Sequence, residues 1–473
     1  MISFISNLTY TEKQSQKKLD RITGKRVAII GMARSGLALA KLLKSYGAKV
    51  FLSELKSEDK LKEDIKILEK LGIEWECGGH TDQVWTNKDY MVISPGVPDN
   101  IPVVQRAQSQ NVPIFSEIEV ASWLCQAKMV GITGSNGKTT TTTLVGEILK
   151  KAGREVAVAG NVGNAFSNVA DSLSEDGTAV LELSSFQLEK ISDFKPQIAA
   201  LLNLSPDHLD RYTNYDAYVA AKLRIFENQT EEDIAVLNAD DTLAEKIKKG
   251  LKAKTILFST KREIKPGVFV RNGNLVSNLE SKEIKIIPAA EIGIKGPHNL
   301  SNAACAAAIA LLREVEPKVI ASTLREFKGV EHRLEEVATI RGVKFINDSK
   351  ATNVDSVWYA LQSVPEPVIL IAGGKDKGSS YNPLADFVRE KVKLLILIGQ
   401  AAPKIRKELG EMTKTIEAKS LEEAVELAFK NSEPKNTVLL SPACASFDMF
   451  ENFEHRGRVF KQKVRELQEK YGK

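Results

Sequence analysis

The sequence predicts an α/β fold of three domains, each built around a parallel sheet. Three stretches of the 473-residue chain open with an apolar, β-type run that ends in small or glycine residues. This pattern is typical of sheets in which strands alternate with helices. Hydrophobic residues make up 43% of the chain and charged residues 27%, which is ordinary for a globular protein with real cores. We expect the domains to span residues 1–116, 117–329 and 330–473.

The first region has the order of a Rossmann-like domain. Its opening strand, Arg26 to Ile30, turns through the loop Gly31 to Gly36 and continues into a helical pattern at Leu37 to Tyr46. The loop reads G-x-A-x-x-G, a dinucleotide fingerprint with its middle glycine replaced by Ala33. Glu54 follows at about the distance expected for a ribose-binding acid, and another diphosphate ligand fits this pattern as well. Further strands are predicted at Lys49–Leu52 and Tyr90–Ile93.

The second region contains the strongest local signal. Its strand Met129 to Thr133 leads into the segment Gly131 to Thr139, G-I-T-G-S-N-G-K-T, and a helical pattern follows at Thr140 to Lys150. Glycines let backbone N–H groups converge on phosphate oxygens, and the start of the helix adds a positive dipole. The usual spacing of this motif requires glycine where Ile132 stands, and a helix-capping turn is the alternative. The strand, the Gly-Lys-Thr sequence and the helix together favour a P-loop ATPase-like domain with a parallel sheet.

The rest of the chain continues the alternation of strands and helices. Short strand-like pieces between Thr255 and Pro288 predict a small insertion or an extension of the central sheet. The segment Ala303 to Leu312 is apolar but shorter than the roughly 18 residues of a membrane span, so it predicts a buried helix. The third region predicts a C-terminal Rossmann-like domain. The remaining strands are expected at Ala179–Leu183, Ile198–Leu202, Ile234–Leu237, Lys344–Ile346, Val368–Ile371, Leu394–Ile398 and Thr437–Leu440.

Polar side chains follow several predicted strands, where parallel sheets bind their ligands. Glu182 ends an apolar run, and because a buried carboxylate is costly unless it meets a cation, a magnesium ligand is favoured over a bystander. His208 lies between acidic residues after the next strand, where a ligand and a solvated turn both fit. Lys350 and Lys377 follow two successive strands, which suits anionic groups, although exposed turns have the same composition. Cys444, in a third such turn, is interpreted as a small buried thiol.

Composition excludes several classes of protein. The net charge of +5 is slight, and no block of basic residues alternates with aromatics, so nucleic acid is a poor partner. The four cysteines form no C-x-x-C pair, which argues against a disulfide scaffold and for a reducing compartment. No signal-peptide core and no run of roughly 18 apolar residues is found. We expect a cytoplasmic monomer without membrane insertion.

Taken in order, the motifs resemble those of the Mur ligase family. Beyond residue 130 they span nearly the whole chain, whereas the first domain matches only loosely. The phosphate loop and the Glu182 region are shared across the family, and NDSKATN and SPACASFDMF are specific to the member that uses D-glutamate. The motifs are GSNGKTTT at 134–141, GNVG at 160–163, ELSSFQLE at 182–189, DHLDRY at 207–212, AAKLRIFEN at 220–228, GPHNLSN at 296–302, EHRLE at 331–335, NDSKATN at 347–353, GGKDKG at 373–378 and SPACASFDMF at 441–450.

The resemblance implies an ATP-dependent, ADP-forming ligase of peptidoglycan precursor synthesis. ATP would phosphorylate the L-alanyl carboxylate of UDP-N-acetylmuramoyl-L-alanine, and the amine of D-glutamate would then displace phosphate from the acyl phosphate. A carboxylate is a poor electrophile, so phosphorylation supplies its leaving group. Two magnesium sites are implied, and magnesium and lysine side chains would act through electrostatics and positioning. Closure of the third domain on ATP is also expected.

The resemblance also assigns roles to individual residues. Read from the sequence alone, Lys222 is a helix-surface lysine, but by motif it matches a lysine that takes up carbon dioxide to become a carbamate. The expected catalytic residues are Lys138, Glu182, His208 and Lys222, and the expected metal ligands are Thr139, Glu182, His208 and carbamylated Lys222. ATP contacts are expected at Gly134, Ser135, Asn136, Gly137, Lys138, Thr139, Thr140, Asn299, Asn302, Arg333 and Asp348. Contacts with the UDP-linked substrate are expected at Arg34, Ser35, Ser53, Glu54 and Asn161, and contacts with D-glutamate at Lys350, Thr352, Lys377, Ser446 and Phe453.

Two other functions fit parts of the sequence. A folylpolyglutamate synthase-like ligase would share the phosphate loop and the family layout. The separate first domain and the NDSKATN and SPACASFDMF motifs argue against it. A nucleotide-gated binding protein would also use the phosphate loop, but the acidic strand end and the lysine-rich third domain favour catalysis.

Overall fold

The computed structural model describes residues 18–161, 163–207, 211–279 and 283–472. These residues fold around three sheets, and each sheet lies inside one of the three ranges expected from the sequence. The α/β class and the three-domain architecture are therefore confirmed, while the residue boundaries of the domains stay predictions. None of the helices in these four stretches combines the length and apolar character needed to cross a membrane.

The first domain is a five-stranded Rossmann-like sheet. Its elements are β1 (Arg26–Ile30), α1 (Arg34–Ser45), β2 (Lys49–Glu54), α2 (Lys62–Lys70), β3 (Glu74–Cys77), β4 (Tyr90–Ile93), α3 (Pro102–Ser109) and β5 (Ile114–Ser116). The strands are parallel in the order β3-β2-β1-β4-β5. Val27 and Ile29 enter the core on one face of β1, and Ala28 and Ile30 enter the core on the other. This two-sided burial explains why the strand is continuously apolar.

The central domain is built on a nine-stranded sheet. Its elements are α4 (Glu117–Ser122), β6 (Lys128–Thr133), α5 (Lys138–Lys151), β7 (Val156–Gly160), β8 (Thr178–Glu182), α6 (Ser185–Leu188), β9 (Ile198–Leu201), α7 (Tyr215–Leu223), β10 (Ile234–Asn238), α8 (Ala244–Lys249), β11 (Lys254–Ser259), β12 (Gly267–Arg271), β13 (Asn274–Ser277), β14 (Ile284–Pro288), α9 (Pro297–Leu312) and α10 (Pro317–Glu326). The strand order is β14-β13-β12-β11-β10-β9-β6-β8-β7. The predicted apolar helix is confirmed as part of α9, whose alanines from 303 to 308 are fully buried.

The central sheet, expected to be parallel, is mixed at one edge. Strands β6 to β12 pair in parallel, whereas the β12–β13 and β13–β14 pairs are antiparallel. The two-residue turn between β12 and β13 is Asn272-Gly273, and both residues have positive φ, at 47° and 71°. An Asn-Gly pair in this conformation favours a tight hairpin. The predicted extension of the sheet is therefore this antiparallel edge.

The C-terminal domain has a six-stranded sheet. Its elements are β15 (Glu335–Ile340), β16 (Val343–Asn347), α11 (Val354–Ser363), β17 (Val368–Gly373), α12 (Ala385–Lys391), β18 (Val392–Ile398), α13 (Ala402–Leu409), β19 (Thr415–Glu417), α14 (Leu421–Lys430), β20 (Thr437–Leu440) and α15 (Phe453–Tyr471). The order is β15-β16-β20-β17-β18-β19, and only the β15–β16 pair is antiparallel among these described strands. Buried side chains on both faces of the sheet form two cores.

The strand ends of the central and C-terminal sheets meet at one place. In the central sheet, β6 lies between β8 and β9, so the phosphate loop and Glu182 follow neighbouring strands. In the C-terminal domain, Lys350 follows β16 and Lys377 follows β17. These side chains contact residues of the central domain, Lys350 at Thr139 and Lys377 at Asp207. The candidate site therefore lies between two domains.

Candidate active site

The loop between β6 and α5 has the backbone of an anion-binding turn. Gly134 and Gly137 have φ values of 151° and 85°, where a side chain would be strained. A Cβ atom at Gly137 would also lie 2.2 Å from Oδ1 of Asn302. Lys138 is the first residue of α5, so the unpaired N–H groups at the start of this helix follow directly on the glycines. The geometry suits a phosphate group, and phosphate binding itself stays a prediction.

Lys138 lies over the phosphate loop. Its ammonium group donates to the carbonyl oxygens of Gly134 at 2.8 Å and Ser135 at 2.9 Å. Burial lowers the pKa of Lys138, while the nearby carboxylates of Glu182 and Asp207 oppose the shift. The position is the one expected for a lysine that neutralises nucleotide phosphates.

Thr139 and Glu182 bring a hydroxyl and a carboxylate together at the end of β8. The Thr139 hydroxyl donates to Oε2 of Glu182 at 2.6 Å, and the Asn161 amide donates to Oε1 at 3.0 Å. Glu182 is only 3% exposed. Burial alone would raise the pKa of its carboxyl group, but the charges of Lys350 and Lys138 help hold that pKa below its usual value. An ionised carboxylate beside a hydroxyl is a hard oxygen pair that fits magnesium.

Lys222, on α7, is directed into the protein. Its side chain is 2% exposed, and its amine donates to the carbonyl oxygen of Gly134 at 2.8 Å. The nitrogen lies 4.7 Å from the centre of the Tyr218 ring. Burial, followed by the charge of Lys138, places the pKa of this amine well below the usual value for lysine. The interpretation of Lys222 as a helix-surface residue is therefore wrong: it is a buried amine beside the phosphate loop.

The C-terminal domain adds charged side chains to the same site. The Lys350 ammonium group contacts the Thr139 hydroxyl. Burial lowers the pKa of Lys350 to about 8, although the carboxylate of Glu182 opposes the shift. Arg333 lies 4.0 Å from Asp348, and burial raises the pKa of Asp348 to about 6 despite this partner. Cations from two domains therefore surround the oxygen pair.

Asn136 of the phosphate loop connects the central domain to α11. Its N–H donates to Oδ1 of Asn203 at 2.9 Å. Its own Oδ1 accepts from the Ser356 hydroxyl at 2.8 Å and from the Asn353 amide at 3.5 Å. Asn203, Ser356 and Asn353 are missing from the set of site residues predicted from the sequence. Asn203 follows a strand and could have been found by that rule, whereas Ser356 lies within a helix and is brought in only by domain docking.

His208, the expected ligand of a second magnesium ion, lies outside the described residues. Its neighbour Asp207 is described and is 7% exposed. The Asp207 carboxylate accepts from the Asn353 amide at 3.0 Å and lies 3.5 Å from the Lys377 ammonium group. Asp207 was absent from the predicted set, although its place beside His208 in the DHLDRY motif was a usable signal.

Three cavities surround this network, with volumes of about 180, 470 and 430 Å³. The smallest is lined by predicted residues from 135 to 140 and by Asn161, Glu182, Arg333, Lys350, Thr352, Lys377 and Phe453. The cavity of about 470 Å³ is lined by the predicted residues Lys138, Asn161, Lys222, Thr352, Lys377, Ser446 and Phe453. The third is lined by the predicted residues Asn136, Gly137, Asn302 and Arg333.

The third cavity offers aromatic surfaces that the sequence prediction missed. His298 and Tyr359 line it with their ring centres 5.5 Å apart, and Trp358 lies beside them. Asn299 is not in its lining, but its Oδ1 accepts from the amide of Asn302, which is, at 3.3 Å. Aromatic side chains beside a phosphate loop suit the flat ring of a nucleotide base.

The glycine loop of the first domain has the expected tight geometry. Gly31 has φ 99°, and a Cβ atom there would lie 2.8 Å from the Ser94 hydroxyl oxygen. Arg34, at the start of α1, donates to the carbonyl oxygen of Asn161 at 3.3 Å, which links this loop to the central domain. Ser35 follows Arg34 on the same turn of helix.

Two predicted residues of the first domain make hydrogen bonds within that domain. Glu54 accepts from the N–H of Met32 at 2.8 Å, so it braces the glycine loop. Ser53 is fully buried, and its hydroxyl contacts Glu76 and His80, each at 2.6 Å. Contacts of these two side chains with uridine diphosphate stay predictions.

Comparison with known proteins agrees with this architecture. The models of the Mur ligase middle domain and of the Mur ligase, glutamate ligase domain match residues 132–310 and 332–444, and the model of the MurD N-terminal domain matches residues 26–102. A Koribacter versatilis protein named UDP-N-acetylmuramoylalanine--D-glutamate ligase is 45% identical over 95% of this chain and 99% of its own length. A Pelobacter propionicus protein of the same name is 46% identical over 94% of this chain and 100% of its own.

Solved structures share the fold at lower sequence identity. UDP-N-acetylmuramate-alanine ligase MurC from Thermotoga maritima has a TM-score of 0.61 at 20% identity, covering 93% of this chain and 99% of that one. A pseudomurein peptide ligase type C from Methanothermus fervidus has a TM-score of 0.60 at 21% identity, covering 94% and 100%. The chain belongs to the Mur ligase family, whose members are ATP-dependent, amide-bond-forming ligases.

Proposed function

We propose that this chain adds D-glutamate to the L-alanyl carboxylate of UDP-N-acetylmuramoyl-L-alanine, with ATP converted to ADP and phosphate. The observation that carries the proposal is the cavity of about 470 Å³ between two domains. It brings Lys138 of the central domain together with Lys377 and Ser446 of the C-terminal domain. An acceptor carboxylate and a dicarboxylic amino acid both require cations in such a place. The names of the relatives support D-glutamate as that amino acid.

The first chemical step would transfer the terminal phosphoryl group of ATP to the acceptor. A carboxylate oxygen of the L-alanyl group forms the new P–O bond, and the bond from phosphorus to the leaving oxygen of ADP breaks. Lys138 and the N–H groups of the glycine loop would orient and neutralise the phosphates. Thr139 and Glu182 are the residues that would hold magnesium, which neutralises phosphate charge when bound.

The second step would form the amide bond. The amine of D-glutamate attacks the acyl carbon, the C–O bond to phosphate breaks, the amine loses a proton and inorganic phosphate leaves. Lys350 and Lys377 are proposed to pair with the two carboxylates of D-glutamate, and Thr352, Ser446 and Phe453 to complete its pocket. Positioning of both reactants accounts for most of the rate in such a mechanism.

Lys222 is proposed to act as a carbamate. Its neutral amine would attack carbon dioxide, forming a new N–C bond and releasing one proton, so that a buried amine becomes an anion. The strongly lowered pKa supports this step, because only an unprotonated amine has the lone pair that it requires. Lys222 in this form, together with His208, would hold the second magnesium ion.

Product mass tests the proposed function. Purified protein given ATP, magnesium, UDP-N-acetylmuramoyl-L-alanine and D-glutamate should yield the acceptor plus one glutamyl residue, and L-glutamate should not replace D-glutamate. Incorporation only into a folate acceptor would instead identify a folylpolyglutamate synthase-like ligase. Hydrolysis of ATP at the same rate with and without the muramoyl acceptor would identify a nucleotide-gated binding protein. The nucleotide-linked substrates also fit the proposed cytoplasmic location, and size-exclusion chromatography tests the proposed monomer.

A further inference from the structure

Arg211 lies between the first domain and the cavity of about 470 Å³, which we call the reaction cavity. Its guanidinium group donates to two backbone carbonyl oxygens of the first domain, those of Pro95 at 3.1 Å and Val97 at 3.0 Å. The centre of the same group lies 3.9 Å from the centre of the Phe186 ring. Arg211 and Phe186 both line the cavity of about 470 Å³. One side chain therefore contacts the first domain and the reaction cavity at once.

The segment 94–97, to which Arg211 donates, packs against the glycine loop of the first domain. The N–H of Ser94 donates to the carbonyl oxygen of Ile30 at 3.0 Å, and its hydroxyl donates to that of Gly31 at 3.3 Å. A Cβ atom on Gly31 would lie 2.8 Å from the Ser94 hydroxyl oxygen and 3.7 Å from Cγ2 of Val97. The segment 94–97 is thus packed against the loop at which the uridine diphosphate is expected.

A frame of central-domain side chains supports the guanidinium group. Nη2 of Arg211 lies 4.0 Å from Oε2 of Glu189. The hydroxyl of Tyr212 contacts Glu189, and the Tyr212 ring stacks on Phe186 with centres 5.9 Å apart and planes 12° apart. A guanidinium group is planar and donates in fixed directions, so this frame sets where Pro95 and Val97 lie relative to the cavity.

We infer that Arg211 is a positioning residue that sets the distance between the glycine loop of the first domain and the reaction cavity. The inference rests on the proposed function, in which one substrate has its nucleotide at the glycine loop and its carboxylate in the cavity. Such a substrate reacts only when both ends are in register, and a misplacement of about 1 Å costs on the order of 100-fold in rate. Because Arg211 fixes this distance, binding of the uridine diphosphate at the glycine loop would orient the L-alanyl carboxylate in the reaction cavity.

The test compares two acceptors. One is UDP-N-acetylmuramoyl-L-alanine, and the other is N-acetylmuramoyl-L-alanine, which lacks the nucleotide and does not span the two domains. Arg211→Met keeps an unbranched side chain over Phe186 but removes the donors. We expect kcat for the UDP-linked acceptor to fall on the order of 10- to 100-fold. The slower rate with the truncated acceptor should change by less than about twofold, because its carboxylate is not oriented from the first domain.

Two further variants make the result decisive. Lys190→Met is the matched control, because the Lys190 ammonium group binds Asp99 of the first domain at 2.5 Å but does not line the cavity; it should leave the ratio of the two rates unchanged. Arg211→Lys keeps the charge but cannot donate to both carbonyl oxygens in the fixed directions of a guanidinium group. It should give a ratio of the two rates between those of the wild type and Arg211→Met. If thermal unfolding shows that Arg211→Met is not folded, Arg211→Lys decides.

Two results would overturn the inference. Equal losses on both acceptors would mean that Arg211 acts only locally, and no loss on either would mean that it positions nothing. A wild-type protein that ligates neither acceptor would refute the proposed function instead, so the two failures are distinguishable.

Discussion

Replacing Lys222 with alanine tests the buried amine beside the phosphate loop. The change removes a hydrogen bond of 2.8 Å to the carbonyl oxygen of Gly134, which contributes about 1 kcal/mol to stability. It also leaves a void in place of a side chain that is 2% exposed, at a cost of about 2–5 kcal/mol. We therefore expect a folded but less stable protein, with a lower unfolding temperature.

The loss of activity should be larger than the loss of stability explains. A carbamate at roughly 4 Å from a cation contributes about 4 kcal/mol at an effective dielectric constant of about 20. Losing that interaction in the transition state would slow the reaction on the order of 1,000-fold. The assay is acceptor-dependent ADP release, measured with and without formate, acetate or propionate. A short carboxylate that enters the void should restore part of the rate.

Lys222→Met is the matched control for this experiment. Methionine fills the void without supplying an amine, so the variant should be as slow as Lys222→Ala and should not respond to carboxylates. A wild-type rate for Lys222→Ala would refute the carbamate. Equal rescue of both variants would show that the added acid acts somewhere other than the void.

The same network predicts three other outcomes. Glu182→Gln keeps the shape of the side chain but removes its charge. We therefore expect kcat to fall on the order of 10²–10³-fold and the half-saturating magnesium concentration to rise. An unchanged magnesium titration would contradict the ligand role. Lys350 has a pKa of about 8, so its charged fraction declines as pH rises through 8 and kcat/KM for D-glutamate should fall with it. Lys350→Arg, which stays charged, should flatten that pH profile, and identical profiles would refute the assignment. Asn136→Ala and Ser356→Ala should each raise KM for ATP, and the double variant should be no worse than the worse single one; additive effects would contradict the contact between the loop and α11.

The inner strands of the three sheets were predictable from the sequence because they are buried on both faces, whereas β3 and β19, which lie at sheet edges and are not, were not predicted. Val27 and Ile29 face one core and Ala28 and Ile30 the other, so the run is apolar at every position and ends where the loop begins. The antiparallel edge was expected only as an extension of the central sheet. The antiparallel direction of these strands depends on the turn at Asn272-Gly273. An Asn-Gly pair is a local sequence signal for a tight hairpin, so this direction could have been predicted.

The residues of the site were predictable from the sequence only where a functional side chain directly follows a strand. Thr139 and Glu182 come together because β6 and β8 are neighbours in the sheet, a consequence of topology that the strand-end rule anticipates. The burial of Lys222 could not be derived from its helix, since it depends on how α7 packs on the phosphate loop. The contact between Lys350 and Thr139 joins residues 211 positions apart in different domains. No local pattern encodes such docking.

In the proposed reaction, the phosphate loop holds the terminal phosphate of ATP where the acceptor carboxylate captures it. Its most direct test uses UDP-N-acetylmuramoyl-L-alanine labelled with ¹⁸O in the L-alanyl carboxylate. If the acceptor carboxylate attacks that phosphate, each amide bond formed should release one inorganic phosphate carrying one ¹⁸O atom, as mass spectrometry would show. Amide product accompanied by unlabelled phosphate would contradict it.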